Sequence, residues 1–148
     1  MSSPRRARCF RDLIVYQRAR EVAKNLFALS KAFPREEIYS LTDQGRRSSR
    51  SVGAQIAEAW GKRRYERHFV SKLTDADAEQ LETQHWVETA LDCGYISEQT
   101  GDELCSALQE IGRMLDSMIG KAASFCSPGG GTVREDPVEY FTGPDEGE

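Results

Sequence analysis

Two short basic runs hold the residues of this sequence best suited to chemistry. Arg46, Arg47 and Arg50 fall on adjacent faces of one helical stretch, and Lys62, Arg63, Arg64 and Arg67 follow, with Tyr65 and His68 set among them. A guanidinium presents five donors in a planar fork that matches phosphate oxygens. An aromatic ring among arginines can also stack on an unpaired base, so single-stranded or structured RNA is a sensible ligand for the 62–67 turn. The candidate nucleic-acid contacts are therefore Arg46, Arg47, Arg50, Lys62, Arg63, Arg64, Tyr65 and Arg67. For Arg46, Arg47 and Arg50 a second outcome stands equally open: Arg46 and Arg50 can pair with acids such as Glu82 on another helix or another subunit.

The charge of the whole chain allows the same two outcomes. Net charge is −4, but residues 1–70 hold 16 Lys and Arg against 7 Asp and Glu, whereas residues 71–148 hold 4 against 17. A basic half of this size can form a nucleic-acid face. Equally, the two halves can neutralise each other within one bundle or between subunits.

Other chemistries lack their residues. Glu82 and His85 make a single Glu-x-x-His, while a di-metal carboxylate site needs a second copy and further inward glutamates. The other histidine stands in Glu66-Arg67-His68, at the wrong spacing. There is no Gly-x-Ser-x-Gly elbow. Cys9, Cys93, Cys105 and Cys126 form no Cys-x-x-Cys pair, so neither a zinc site nor a thioredoxin-like motif is indicated. They read as reduced thiols, with Cys105 and Cys126 serving as small hydrophobes. Glu58 and Glu66 have no partner motif and read as ion-paired or solvated carboxylates. The expectation is a protein that is not an enzyme and holds no metal or cofactor.

Four amphipathic segments must position the basic runs. Leu13, Tyr16, Ala19, Val22, Ala23, Leu26, Leu29 and Phe33 recur at three- and four-residue steps and predict a helix over 10–33, ended by Pro34. A second helix is expected over 40–61. Its accumulation of Gly45, Ser48, Ser49, Ser51, Gly53, Ala54 and Ala57 permits close approach by neighbours and hints at an intersubunit contact. A third runs over 65–93 with Phe69, Leu73, Ala76, Gln80, Gln84, Val87 and Leu91 inward, and Gly94 stops it. Ser97 then caps a fourth helix, whose Leu104, Leu108, Ile111, Leu115, Met118, Ala122 and Phe125 alternate four- and three-residue steps.

These elements predict an all-α chain: a basic arm over 1–9, an antiparallel up-down-up-down four-helix bundle over 10–126, and a flexible acidic tail over 127–148. Gly129, Gly130 and Gly131 open that tail as a linker and not as a phosphate loop, since no Lys-Ser/Thr follows. Val138, Tyr140 and Phe141 are its one apolar island, and the tail is expected to compete with nucleic acid for the basic surface. No segment is apolar enough to span a membrane. Arg11, Asp12, Arg18 and Arg20 interrupt any signal-like stretch after Arg5, Arg6 and Arg8, so a cytoplasmic protein is expected.

Several stretches together resemble a known family. Phe33-Pro34-Arg35-Glu36-Glu37-Ile38-Tyr39-Ser40-Leu41, then Gln44 to Val52, then Gln55-Ile56-Ala57-Glu58-Ala59, then Leu81 to Gln84 and Glu110 to Leu115 are similar to the four helix bundle proteins encoded in 23S rRNA intervening sequences. The resemblance covers about residues 10–122, with departures at Ala54, Gln55, Ala59 and Asp77. It implies a bacterial homo-oligomer, a pentameric ring with a central channel, whose basic surface binds RNA or DNA. It also implies a likeness in fold to the accessory variability determinant of diversity-generating retroelements, and through it a reverse transcriptase as a partner. The expected function is thus a non-enzymatic, ring-forming nucleic-acid scaffold. The competing expectation is an oligomeric protein-interaction module whose basic half is consumed by Asp75, Asp77, Glu79, Glu82 and the tail.

Overall fold

The computed structural model describes residues 7–126. Most of the basic arm and the expected acidic tail lie outside the described residues. Within them are four long helices and a short fifth: α1 (Ile14–Ser30), α2 (Asp43–Gly61), α3 (Glu66–Asp92), α4 (Glu98–Gly120) and α5 (Ala122–Phe125), with no strand. α1 packs on α2, α2 on α3, α3 on α4, and α4 on α1, which makes a four-sided helical bundle. None of these helices is long and apolar enough to cross a membrane.

Local chemistry sets the helix ends. Phe10–Asp12 forms a separate 3-10 turn, and Leu13 is extended, with φ −69° and ψ 124°, so α1 begins at Ile14 instead of Phe10. It also stops three residues short of Phe33, because Ala32 N–H and Phe33 N–H bond back to Leu29 O and Ser30 O in tight i→i−3 turns ahead of Pro34. A single π-turn, Ile38–Thr42, leads directly into α2. At the end of α3, Gly94 adopts φ +75° while Gly94 N–H bonds Leu91 O and Tyr95 N–H bonds Ala90 O. That paired motif needs the left-handed backbone glycine tolerates. Ser97 Oγ accepts from Thr100 N–H at 3.1 Å and caps α4.

The heptad of α4 buries Leu104, Leu108, Ile111, Leu115 and Met118. Each such side chain contributes about 1.5–3 kcal/mol on leaving water. The stripe breaks at Gly120, and Ala122 and Phe125 complete it from α5, where Phe125 stacks on Phe69 at 5.7 Å.

α3 carries the same alternation of four and three in Phe69, Leu73, Ala76, Gln80, Thr83, Val87 and Ala90. Thr83 and Ala90 thus occupy the buried positions expected of Gln84 and Leu91, which are half-buried. The polar members are satisfied where they lie. Gln80 Nε2 donates to Asp77 Oδ1 at 2.9 Å, and Gln84 Nε2 donates to Gln80 Oε1 at 2.7 Å. Thr83 and Ser48 share a buried hydroxyl contact of 2.9 Å across α2 and α3. Gly112 makes room for this ladder on α4, since a Cβ there would come within 2.7 Å of Gln80 Nε2.

Part of the small-residue stripe of α2 packs inside the chain, while Ala54 is exposed and Ser51 and Ala57 are half-buried. A Cβ on Gly45 would lie 3.5 Å from Leu26 and 3.8 Å from Trp86, and one on Gly53 would lie 3.6 Å from the Tyr16 ring. α2 is accordingly held by α1 on one side and α3 on the other, with Ser48, Ser49, Val52, Gly53, Ile56 and Ala59 buried.

Candidate nucleic-acid interface

The three arginines at the start of α2 go to two different seams. Arg46 and Arg50 are four residues apart and share a face; Arg47 is rotated away by about 100°. Arg47 faces α3, where its guanidinium bonds Glu82 and lies 3.6 Å from Glu79. Within the chain, the pairing with Glu82 that was open to Arg46 and Arg50 therefore falls to Arg47. Lys72 of α3 extends the same seam, reaching Glu58 at 3.1 Å, Asp75 at 3.9 Å and Gln55 at 3.3 Å.

Arg46 and Arg50 face α1 and meet an aromatic ring. Arg46 sits 4.7 Å from the centroid of Phe27, Arg50 5.2 Å, and Lys31 of the loop after α1 4.9 Å. Arg46 Nε also donates to Ser30 Oγ at 2.8 Å. No carboxylate of the described residues lies within ion-pair distance of Lys31, Arg46 or Arg50. Three like charges thus converge on one ring, an arrangement in which the ring quadrupole offsets only part of their repulsion.

From this cluster an open groove of about 810 Å³ runs between α1 and α2. Ser49, Gly53, Ala54 and Ala57 line it from α2, and Phe10, Tyr16 and Phe27 bring rings to it from the α1 side. Arg20 and Lys24 stand along it, with Glu21 as the one acidic lining residue. Each ring carries a cation: Arg11 lies 4.4 Å from Phe10, and Arg20 lies 5.9 Å from Tyr16 while donating to its hydroxyl at 3.3 Å. Small residues on the floor, rings in the wall and cations on the rim suit a phosphate backbone with partly unstacked bases.

Sequence reasoning missed the α1 half of this groove. Tyr16 appears in the apolar stripe of α1 and reads as core, yet its ring is only half-buried. The available signal was the pairing of Tyr16 with Arg20 and of Phe27 with Lys31, each at i,i+4 on a helix.

The 62–67 turn is a second basic patch, about 24 Å along α2 from Arg46. Lys62, Arg64, Tyr65 and Arg67 are exposed there, and Tyr65 and His68 lie ring to ring at 5.5 Å. Arg63 differs: its guanidinium covers Trp60 at 3.4 Å, its Nε donates to Trp60 O at 2.9 Å, and burial draws its pKa below the ordinary value, opposed by Cys126. The structure thus places Arg47 and Arg63 in packing contacts and leaves Arg46, Arg50, Lys62, Arg64, Tyr65 and Arg67 directed to the α1 groove or to solvent.

The lone Glu-x-x-His is taken up locally. Glu82 accepts from Arg47 and from Trp86 Nε1 at 3.2 Å, while exposed His85 meets the Trp86 ring edge at 4.7 Å. The described residues contain no group of three or more His, Cys, Asp or Glu side chains placed to hold a metal ion.

No curated protein matches the sequence. Among solved structures, a crystal structure of a protein of unknown function from the S23 ribosomal protein family of Bacteroides thetaiotaomicron is similar, with 29% identity and a TM-score of 0.65, covering 72% of this chain and 96% of that one. The family model described as 23S rRNA-intervening sequence protein matches residues 11–117, which span all of α1, α2 and α3 and most of α4. The chain belongs to the 23S rRNA-intervening sequence protein family.

Proposed function

We propose that this protein is a non-enzymatic, homo-oligomeric nucleic-acid scaffold of the cytoplasm that binds RNA along its α1–α2 groove and the 62–67 turn. In this reading each subunit is an antiparallel up-down-up-down bundle, five subunits form the ring, and the partner is ribosomal RNA or a reverse transcriptase with its template. One observation carries the reading: Lys31, Arg46 and Arg50 converge on Phe27 with no carboxylate of the described residues to balance them. Cations held together in this way favour an anion, and a groove with rings beside them favours a polyanion carrying bases.

The test is the binding of a fluorescent single-stranded RNA across a salt series. Affinity is expected to fall linearly on logarithmic axes as counterions are released. Absence of retention at low salt sinks the proposal.

The α2–α3 seam favours a second reading, a protein-interaction module, because Arg47 with Glu79 and Glu82, and Lys72 with Glu58, already set basic and acidic halves against each other. Charge reversal of Lys62, Arg64 and Arg67 separates the two. Lost RNA binding with an intact oligomer supports the scaffold, whereas collapse of the oligomer supports the module.

A further inference from the structure

We infer that the α1–α2 groove is also the docking site of this chain's own acidic extension, with Tyr140 and Phe141 seated on the small-residue floor and Glu135, Asp136 and Glu139 set against the cationic rim. The inference rests on the reading of this groove as an anion-binding surface, but not on RNA being the anion.

Charge and shape both select this occupant. Residues 127–148 contain six carboxylate side chains and a single cation, Arg134, and their aromatic residues, Tyr140 and Phe141, are adjacent. The groove offers the complement: Arg20, Lys24 and Arg50 on the rim against Glu21, with Ala54 and Ala57 at the base between aromatic walls. An adjacent aromatic pair needs a wide, shallow apolar floor, and a side chain larger than alanine at positions 53, 54 or 57 would take up that space.

Reach is also sufficient. α5 packs on α3, and Cys126, next to the Arg63 that covers Trp60, lies at the α2 end nearest Ala57. Fourteen residue steps lead from Cys126 to Tyr140, enough chain to span up to about 46 Å when extended. The stretch of α1 from Tyr16 to Phe27 covers only about 16 Å. An extension that long can lay its apolar island anywhere along the groove of its own bundle. Occupied in this way, the groove would admit nucleic acid only in exchange for the extension, so the extension would set a threshold for binding.

The test is zero-length coupling of the full chain with a water-soluble carbodiimide, without RNA, followed by peptide mass spectrometry. Lys24 or Lys31 is expected to couple to Glu135, Asp136 or Glu139. Tyr140→Ser combined with Phe141→Ser lies outside the described bundle; it is expected to cut that yield at least about five-fold while leaving the circular dichroism spectrum unchanged. Three results overturn the inference. One is no coupling between these lysines and the extension; another is coupling that the double substitution leaves unchanged, the mark of unspecific charge attraction. The third is coupling of Lys24 or Lys31 to a bundle carboxylate of another chain, seen in a mixture of isotope-labelled and unlabelled protein, which would put a second copy of the bundle in the groove. Since no RNA is present, failure here leaves the RNA reading standing, and failure of the RNA titration leaves this one standing.

Discussion

α2 has two seams, and they use charge in opposite ways. Toward α3, Arg47 meets Glu79 and Glu82, Lys72 meets Glu58, and Ser48 meets Thr83, so cations are set against carboxylates across the contact, although Glu79 Oε2 is buried without a hydrogen bond. Toward α1, Arg46 and Arg50 answer only a ring and the Ser30 hydroxyl. One residue of rotation on the helix separates the two fates. A basic run therefore says little by itself about binding; which neighbour each side chain faces decides whether it stabilises the fold or stays available.

Four measurements would break or sharpen this contrast. The largest effect is expected at the sealed end of the α3 side. There Cys126 is pushed up to about 11, mainly by burial and then by Glu66, with Arg63 opposing. An ordinary thiol titrates near 8.5, so at pH 8 alkylation of Cys126 should run at least about 100-fold slower than that of a cysteine peptide. A pKa raised on folding also means that the stability linked to this thiol is present below the ordinary range and is lost as pH climbs toward 11. Fast alkylation of Cys126 in the folded protein would show that this end is open.

Next comes the α1 side. Arg46→Glu with Arg50→Glu should weaken RNA binding at low salt by about 10-fold or more and lower the salt slope by about 2, with helicity unchanged. An unaltered affinity would remove the groove from the interface. Thr83→Val should then cost about 1 kcal/mol in denaturant unfolding, because it breaks the contact with Ser48 inside the answered seam, and should leave RNA affinity alone. Smallest of all, Arg47→Ala should cost no more than about 1 kcal/mol, since its partners are partly exposed, and should shift RNA affinity less than about two-fold. A larger loss of binding from Arg47→Ala than from the Arg46 and Arg50 pair would invert the comparison.

Much of the bundle was legible in the sequence where apolar residues mark the period. α4 was read almost whole because Leu104, Leu108, Ile111, Leu115 and Met118 are all apolar, and Ser97 and Gly94 act by local rules that need no neighbour. α3 was harder to read, since two of its seven inward positions are Gln80 and Thr83; their burial depends on Asp77, Gln84 and Ser48, partners that only packing brings together. The ends of α1 moved inward because Leu13 and the residues before Pro34 leave helical geometry for tighter turns. For the candidate site, residue type located the helix and the turn that carry the basic residues. It could not assign Arg47 to α3 or Arg63 to Trp60, because those choices follow from helix rotation and neighbour identity. The contribution of α1, Tyr16 and Phe27 above all, was hidden by their aromatic character, which reads as core.

The Phe27 cluster has a further consequence, in entropy. A free arginine or lysine on a surface samples many rotamers, and fixing one against a ligand typically costs about 0.5–1.5 kcal/mol. Arg46 and Arg50 already rest on the ring, and Arg46 is tied to Ser30 as well. Much of that ordering cost is met when the chain folds. A phosphate arriving at this end of the groove should therefore meet cations that are already aimed, and gain more affinity per charge there than at the mobile lysines and arginines of an ordinary basic surface.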